Sequence, residues 1–209
     1  MSDKSLVIGN GESRLSFDLS AHIKKFYSYG CNAVYRDVVV DKLFCYDKRM
    51  AVEFLSNTAD TDTILYTTDR YVNDLAKTYN THTVRNFPEL PYKGASRPDQ
   101  PQHWNSGQYA LLSACYDDNT DIYILGFDLY SQTAKVNNVY KDTQNYSSSN
   151  SHAIDYSYWI YQNAKLFSIF RDKKFTIVNT EDWKMPDEWT FSNVGFVDTE
   201  KFSSELHYS

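Results

Sequence analysis

Leu6-Val7-Ile8-Gly9-Asn10-Gly11-Glu12-Ser13 is the stretch on which the reading of this chain turns. An apolar run of strand length ends in Gly-Asn-Gly, so the backbone can turn sharply and a ligand can approach it without Cβ clashes. The asparagine between the glycines offers a donor and an acceptor on one side chain. In a parallel α/β sheet this layout presents a binding turn at the carboxyl edge. The competing reading is an Asn-Gly hairpin turn. The polar, partly helical character of the residues through Phe26 disfavours it, because no returning strand follows. A dinucleotide phosphate loop also fits poorly, since the third glycine of that fingerprint is missing.

Outward from that stretch, strands and helices alternate. Residues 6–9 read as the first strand, a second lies within 27–35 around Gly30-Cys31-Asn32-Ala33-Val34, and 42–46 is a third. Asp47 and a helical stretch at 49–55 follow it. Residues 63–66 read as a fourth strand, and Asp69 can cap the next helix, which places Tyr71, Val72, Leu75 and Tyr79 on one face. A fifth strand is expected at 82–86, then a loop over 88–104 with four prolines. Asn105-Ser106-Gly107 opens a helix in which Ala110, Leu111, Ala114 and Cys115 keep helical spacing. Asp121-Ile122-Tyr123-Ile124-Leu125-Gly126 is a strand of the buried parallel type.

The polar, asparagine- and serine-rich residues 130–151 predict a mobile loop or lid. Residues 155–171 form the longest helix candidate, 175–178 a last strand, and the remainder an irregular tail. With no internal repeat or linker, the pattern predicts one α/β domain over 1–209, with a mainly parallel sheet and helices on both faces.

Composition narrows the classes. The 209 residues suffice for one substantial core. No apolar run approaches the ~18 residues of a membrane span. Met1-Ser2-Asp3-Lys4-Ser5 leads into a strand with no signal-type segment, so a cytoplasmic location is expected. A net charge of −6 with scattered lysines and arginines argues against a nucleic-acid surface. Cys31, Cys45 and Cys115 lie far apart within apolar stretches and read as buried reduced thiols rather than a metal or disulfide framework. The 18 tyrosines can line sugar or base pockets, though core and interface filling is the expectation for most of them. A homo-oligomer is left open.

Ligands of such sheets bind outside the carboxyl ends of the strands. The residues just past each strand are Asn10, Asn32, Asp47, the Asn105-Ser106-Gly107 helix start, and Asp128 with Tyr130. Each also has a plainer role. Turn and cap chemistry is routine for asparagine, an Asx turn serves for Asp128, and packing for Tyr130.

In order along the chain, five short motifs resemble the bacterial lipooligosaccharide sialyltransferases, glycosyltransferase family 42. That family has G-N-G-P-S after the first strand, C-N in the second, T-S-G at a helix start, G-I-D-F-Y at a strand end, and N-S-H further on. This chain has Gly9-Asn10-Gly11-Glu12-Ser13, Cys31-Asn32, Asn105-Ser106-Gly107, Gly126-Phe127-Asp128-Leu129-Tyr130 and Asn150-Ser151-His152. The likeness spans residues 6–163 with gaps and is best over 105–130.

The resemblance implies a Rossmann-like (GT-A-type) domain without a metal or other cofactor. It implies inverting transfer of a sugar from a CMP-linked nucleotide sugar to a glycan or small-molecule acceptor. Asn10, Gly11 and Asn32 would hold the donor phosphates and sugar. Asn105, Ser106 and Gly107 would face the nucleotide from a helix N-terminus. Asp128, two residues past Gly126, would bond a ribose hydroxyl. Tyr130 and Tyr140 would donate to the departing phosphate, because converging neutral donors can take the place of a metal.

Three departures accompany the likeness. His103 stands where the family has an arginine before its S-G pair, Asp47 replaces an asparagine after the third strand, and Tyr156 aligns with the family's general-base histidine. A carboxylate at 47 disfavours an anionic sugar, so the donor need not be sialic acid. His152 is the expected proton acceptor ahead of Tyr156, because histidine is the side chain that most often serves as a general base. Two other readings stand beside transfer: a nucleotide or nucleotide-sugar binding protein without activity, and another nucleotide-processing α/β enzyme. A serine hydrolase is disfavoured, because the G-x-S-x-G elbow is absent.

Overall fold

A computed structural model describes residues 4–58, 61–130 and 134–207. Its first half runs β1 (Lys4–Ile8), α1 (Leu19–His22), β2 (Tyr27–Cys31), β3 (Lys42–Phe44), α2 (Lys48–Asn57), β4 (Ile64–Thr67), α3 (Asp69–Thr78) and β5 (Val84–Asn86). The second half adds α4 (Ser106–Tyr116), β6 (Asp121–Leu125), α5 (Ser157–Ile169), β7 (Lys174–Asn179), β8 (Val194–Asp198) and α6 (Thr199–His207). The eight strands form one sheet in the order β5-β4-β3-β2-β1-β6-β7-β8. Every neighbouring pair is parallel, which makes this a Rossmann-like α/β fold.

Side chains alternate across a strand, so each strand feeds two layers. Leu6 and Ile8 of β1 enter one buried cluster and Val7 the other; β6 splits likewise, with Leu125 in the first and Ile122 and Ile124 in the second. Phe54 of α2, Leu75 of α3 and Phe202 of α6 cover the first face, while Leu111 of α4 and Phe167 of α5 cover the second. Each fully buried Leu or Phe here contributes about 1.5–3 kcal/mol relative to exposure. Helix α4 is buried almost all round because it lies on β1, β2 and β3 and under α5.

Several expectations shift. Strand β2 ends at Cys31, before the expected Ala33-Val34, because Asn32 adopts φ +51° and starts a 3-10 turn. Asparagine tolerates that left-handed conformation better than most residues. Asp69 does not cap α3. Thr68 holds the cap position, and Asp69 is the first helical residue, where its charge suits the helix dipole. The fifth strand starts at Val84, and the long helix starts at Ser157, whose N–H is taken by Asp155 at 2.9 Å.

The tail is not irregular. It returns as β8 on the sheet edge and as α6 against the first cluster. Trp189, fully buried before β8, donates its Nε1 hydrogen to the Ile160 carbonyl at 3.0 Å and meets Phe167 edge-on at 5.4 Å. Of the expected loop at 130–151, Ser131, Gln132 and Thr133 lie outside the described residues; 134–151 rests on the body through contacts given below. Among the described residues no helix is long and apolar enough to cross a membrane.

Candidate functional site at the strand-order switch

From β1 the chain moves to β2 on one side, and only after β5 does it return to place β6 on the other. The connections leaving β1 and β6 therefore part, and a crevice opens between them. A cavity of about 360 Å³ occupies it, a size suited to a small molecule. The ends of three strands reach it: Gly9, Asn10 and Gly11 after β1, Cys31 at the end of β2 with Asn32 after it, and Gly126, Phe127 and Asp128 after β6. Asn105, Gly107 and Gln108 arrive from the start of α4. The rest comes from the segment after β6, including Asn137, Asn138, Asn145, Tyr146 and Ile154.

Glycine at 11 and 126 is a matter of space and backbone. A Cβ on Gly11 would overlap the Asp128 carboxylate, and Gly126 has φ +72° with the Gly9 carbonyl beside it. That closeness lets Asp128 tie three connections together. It accepts the Ser13 N–H at 2.9 Å, the Ser13 hydroxyl, and Asn179 Nδ2 from the end of β7 at 3.3 Å. Burial raises the Asp128 carboxyl above its usual range, although Ser13, Asn137 and Asn179 all favour the charged form.

Asn10 Nδ2 donates to the Cys31 carbonyl at 3.3 Å and to Tyr146 Oη at 3.1 Å, while its Oδ1 is buried with no partner among the described residues. Gln108 is similar: its Nε2 donates to Asn163 Oδ1 at 3.3 Å, and its buried Oε1 has no partner. A buried acceptor left unmatched costs about 1–3 kcal/mol. Both residues line the cavity, where an N–H or O–H of a ligand would be the matching group for such an oxygen.

Asn32 Oδ1 accepts the Ser106 hydroxyl at 2.9 Å, and Ser106 Oγ in turn accepts the Tyr46 N–H at 2.9 Å. Ser106 thus stands behind the cavity wall and sets the Asn32 side chain. Asn105 caps α4 by accepting the Gly107 and Gln108 N–H groups at 2.8 and 3.2 Å. Both donors, of which Gly107 was expected to face a ligand, are already bonded, so the helix start contributes its dipole more than open N–H groups.

The remaining expected residues lie elsewhere. Asp47 caps α2 through the Arg49 N–H at 2.9 Å, and its pairing with the Arg49 side chain holds its carboxyl below the usual range. Beyond Leu129, at φ +65°, Tyr130 stacks on Trp183 at 6.1 Å and donates to the Lys184 carbonyl. Tyr140 is buried beside the cavity rather than in its lining; its hydroxyl donates to Asp37 and accepts from Arg14, each at 2.6 Å. His103 takes a hydrogen bond from Arg97 at 3.4 Å and meets Tyr158 edge-on. His152 is exposed and bridged to Lys135, while Tyr156 precedes α5 with its ring against Tyr130. None of the six lines the cavity.

The tyrosine that does is Tyr146. Its oxygen accepts from Asn10 and from the Ala33 N–H at 3.2 Å, which leaves its own O–H without a protein acceptor among the described residues. Burial raises its pKa, so the proton stays on at neutral pH. Arg36 fixes the neighbourhood by donating to Glu53, to Thr143 and to the Gln144 carbonyl, and Asn145 also donates to Glu53 at 2.6 Å. Burial alone would raise the Glu53 carboxyl, but Tyr35, Arg36 and Asn145 together hold it below its usual range.

Tyr146 and the asparagines at 137, 138 and 145 went unassigned in the sequence, as did Gln108. The signal was present as an asparagine-rich run directly behind the strongest strand. Cys31 lines the cavity as well, with burial pushing its thiol up to about 12; burial also raises the Cys45 and Cys115 thiols well above the usual range. No lysine, arginine or histidine lines the cavity, and no cluster of three metal-ligating side chains occurs among the described residues. Compared with protein-family models, with curated proteins and with solved structures, the chain matches none.

Proposed function

We propose that the cavity between the β1 and β6 connections binds a nucleotide of the CMP type, alone or carrying a sugar. The observation that carries this reading is the pair of buried, unmatched oxygens, Asn10 Oδ1 and Gln108 Oε1, at a strand-order switch. A cytosine amino group and ribose hydroxyls supply the donors those oxygens lack. Asp128 has the acceptor chemistry for a ribose hydroxyl. The phosphate would meet neutral donors, chiefly the Tyr146 hydroxyl and Asn32 Nδ2, together with the α4 dipole.

Sugar transfer is a second reading, favoured by the Tyr146 O–H in the cavity, which has no protein acceptor among the described residues. The Tyr146 hydroxyl could stabilise charge on a departing phosphate with no metal, as preorganised neutral donors do. In that reaction a base has to come from outside the present lining. His152 serves only if the segment carrying it closes over the cavity. A neutral donor sugar suits a lining without cationic side chains.

Thermal-shift measurements with CMP, CDP, UMP, AMP and their sugar conjugates test the proposal, because a ligand of the native state alone raises the melting point. Cytidine nucleotides should give the largest rise; no rise with any nucleotide ends the reading. Asn32→Gly keeps the left-handed backbone without strain and removes only the amide. It should weaken CMP binding by about 1–3 kcal/mol, read by titration calorimetry. Unchanged affinity would take Asn32 out of the site.

Acid should weaken the complex early. The Asp128 carboxyl titrates above its ordinary 3.8, so its acceptor for the ribose is lost at a higher pH than an exposed aspartate would lose it. Affinity for CMP should decline as pH falls through that raised value, while Asp128→Asn stays weak at every pH. For folding, the same shift has the other sense. A folded-state pKa above the unfolded one gives a contribution complete below 3.8 and lost as pH rises through the folded value. CMP affinity that holds level down to about pH 4 would count against the carboxylate's role.

A further inference from the structure

We infer that a second cleft, over the carboxyl ends of β3, β4 and β5, is a ligand site for a neutral saccharide. It measures about 900 Å³ and shares no lining residue with the first cavity, so the inference stands whether or not that cavity takes a nucleotide. The two meet at the start of α4, where Gln108 lines the cavity and Tyr109 the cleft.

One wall of the cleft is aromatic. Phe87 stacks on Tyr109 with centroids 4.1 Å apart and planes within 8°, and Tyr46 continues the stack beside Phe87 at 6.0 Å and 14°. Such a wall suits a ligand with a flat apolar face. The cleft is not built for a purely apolar guest, however. Tyr92 and Thr68, both in its lining, carry buried hydroxyl oxygens with no hydrogen-bond partner among the described residues. Thr68 holds the cap position of α3, yet its side chain caps nothing. Buried polar atoms without partners are rare in folded chains and ask for an explanation.

A hydroxyl both donates and accepts, so two such groups are best matched by a ligand whose own groups do the same. Charge disfavours an anion. Asp69, Glu89 and Asp99 outnumber Arg70 and Lys93 in the lining, and like charge at close range is unfavourable. An uncharged ring with an apolar face and a rim of hydroxyls meets every requirement at once; that is a sugar.

The test uses the full chain and a fixed set of probes: lactose, maltose, cellobiose and chitobiose, with sialyllactose as the anionic arm. Saturation-transfer NMR and intrinsic fluorescence read the binding. At least one neutral disaccharide should bind, and more tightly than sialyllactose. Tyr92→Phe keeps the ring and removes only an unmatched hydroxyl, so the fold should be kept while affinity falls about tenfold. Asn10→Ala, in the first cavity, should leave saccharide affinity unchanged. The inference is overturned by no binding of any neutral disaccharide, by preference for sialyllactose, or by loss of binding in Asn10→Ala with Tyr92→Phe unaffected. CMP thermal shifts, read separately, report on the first cavity alone.

Discussion

Trp189→Ala should lower the free energy of unfolding by about 3–5 kcal/mol, the usual cost of truncating a fully buried tryptophan to alanine. Its side chain has no solvent exposure, and it fills the space between α5 and the approach to β8. Three losses coincide: the ring's contact area, its edge-on packing on Phe167, and the hydrogen bond to the Ile160 carbonyl. Neighbours cannot easily close the gap, because Phe167 is held on its other side by Phe175 at 4.7 Å. Denaturant titration gives the number. CMP affinity should change little, because Trp189 does not line the cavity. A loss under about 1 kcal/mol would mean that the tail adds little to the core, contrary to its place in the sheet.

Arg14→Met should have the second-largest effect and a different signature. Arg14 is 4% exposed, and its guanidinium bonds Asp37 at 2.8 Å and the Tyr140 hydroxyl at 2.6 Å while lying 5.3 Å from the centre of the Tyr140 ring. Removing it should cost about 2–4 kcal/mol, below the ~3–5 kcal/mol of a fully buried pair because Asp37 reaches solvent. The damage then spreads. Tyr140 anchors the segment that brings Asn138, Asn145 and Tyr146 to the cavity. CMP binding should weaken along with stability, unlike the outcome for Trp189→Ala. Normal affinity in Arg14→Met would show that the segment holds its place without this anchor.

The chain's own pattern revealed more of the sheet than of the site. Strands β1 and β6 are read easily, because central parallel strands are buried on both faces and show as short apolar runs. Strand β8 lies at an edge, with Phe196 well exposed and Gly195 inside it. Its order comes from pairing with β7, which no local pattern announces. At the site, the positions just past strands were legible at Asn10, Asn32 and Asp128, since topology alone delivers them to one crevice. Asp47 satisfied the same rule and is spent on capping α2, a local hydrogen bond that competes with any ligand role.

Tyrosines 130, 140 and 146 could not be ranked from sequence. Arg14 and Asp37 hold Tyr140 beneath the segment, Trp183 draws Tyr130 away, and Asn10 receives Tyr146; all of these partners are distant along the chain.

Strand β1 sits at the middle of the sheet, and its two neighbours are made at very different times. Its pairing with β2 closes a short loop, whereas Leu6 meets Tyr123 of β6 only after most of the chain exists. Contacts of such long sequence separation form slowly, because loop closure is opposed by entropy before pairing rewards it. During synthesis, one whole side of β1 therefore waits as an open edge, prone to capture by another chain. The binding crevice lies on that same seam, so it is completed only when β6 docks. A nascent or truncated chain that stops before β6 has five of the eight strands and no site, and a ligand that spans the seam would hold the two parts together as they close.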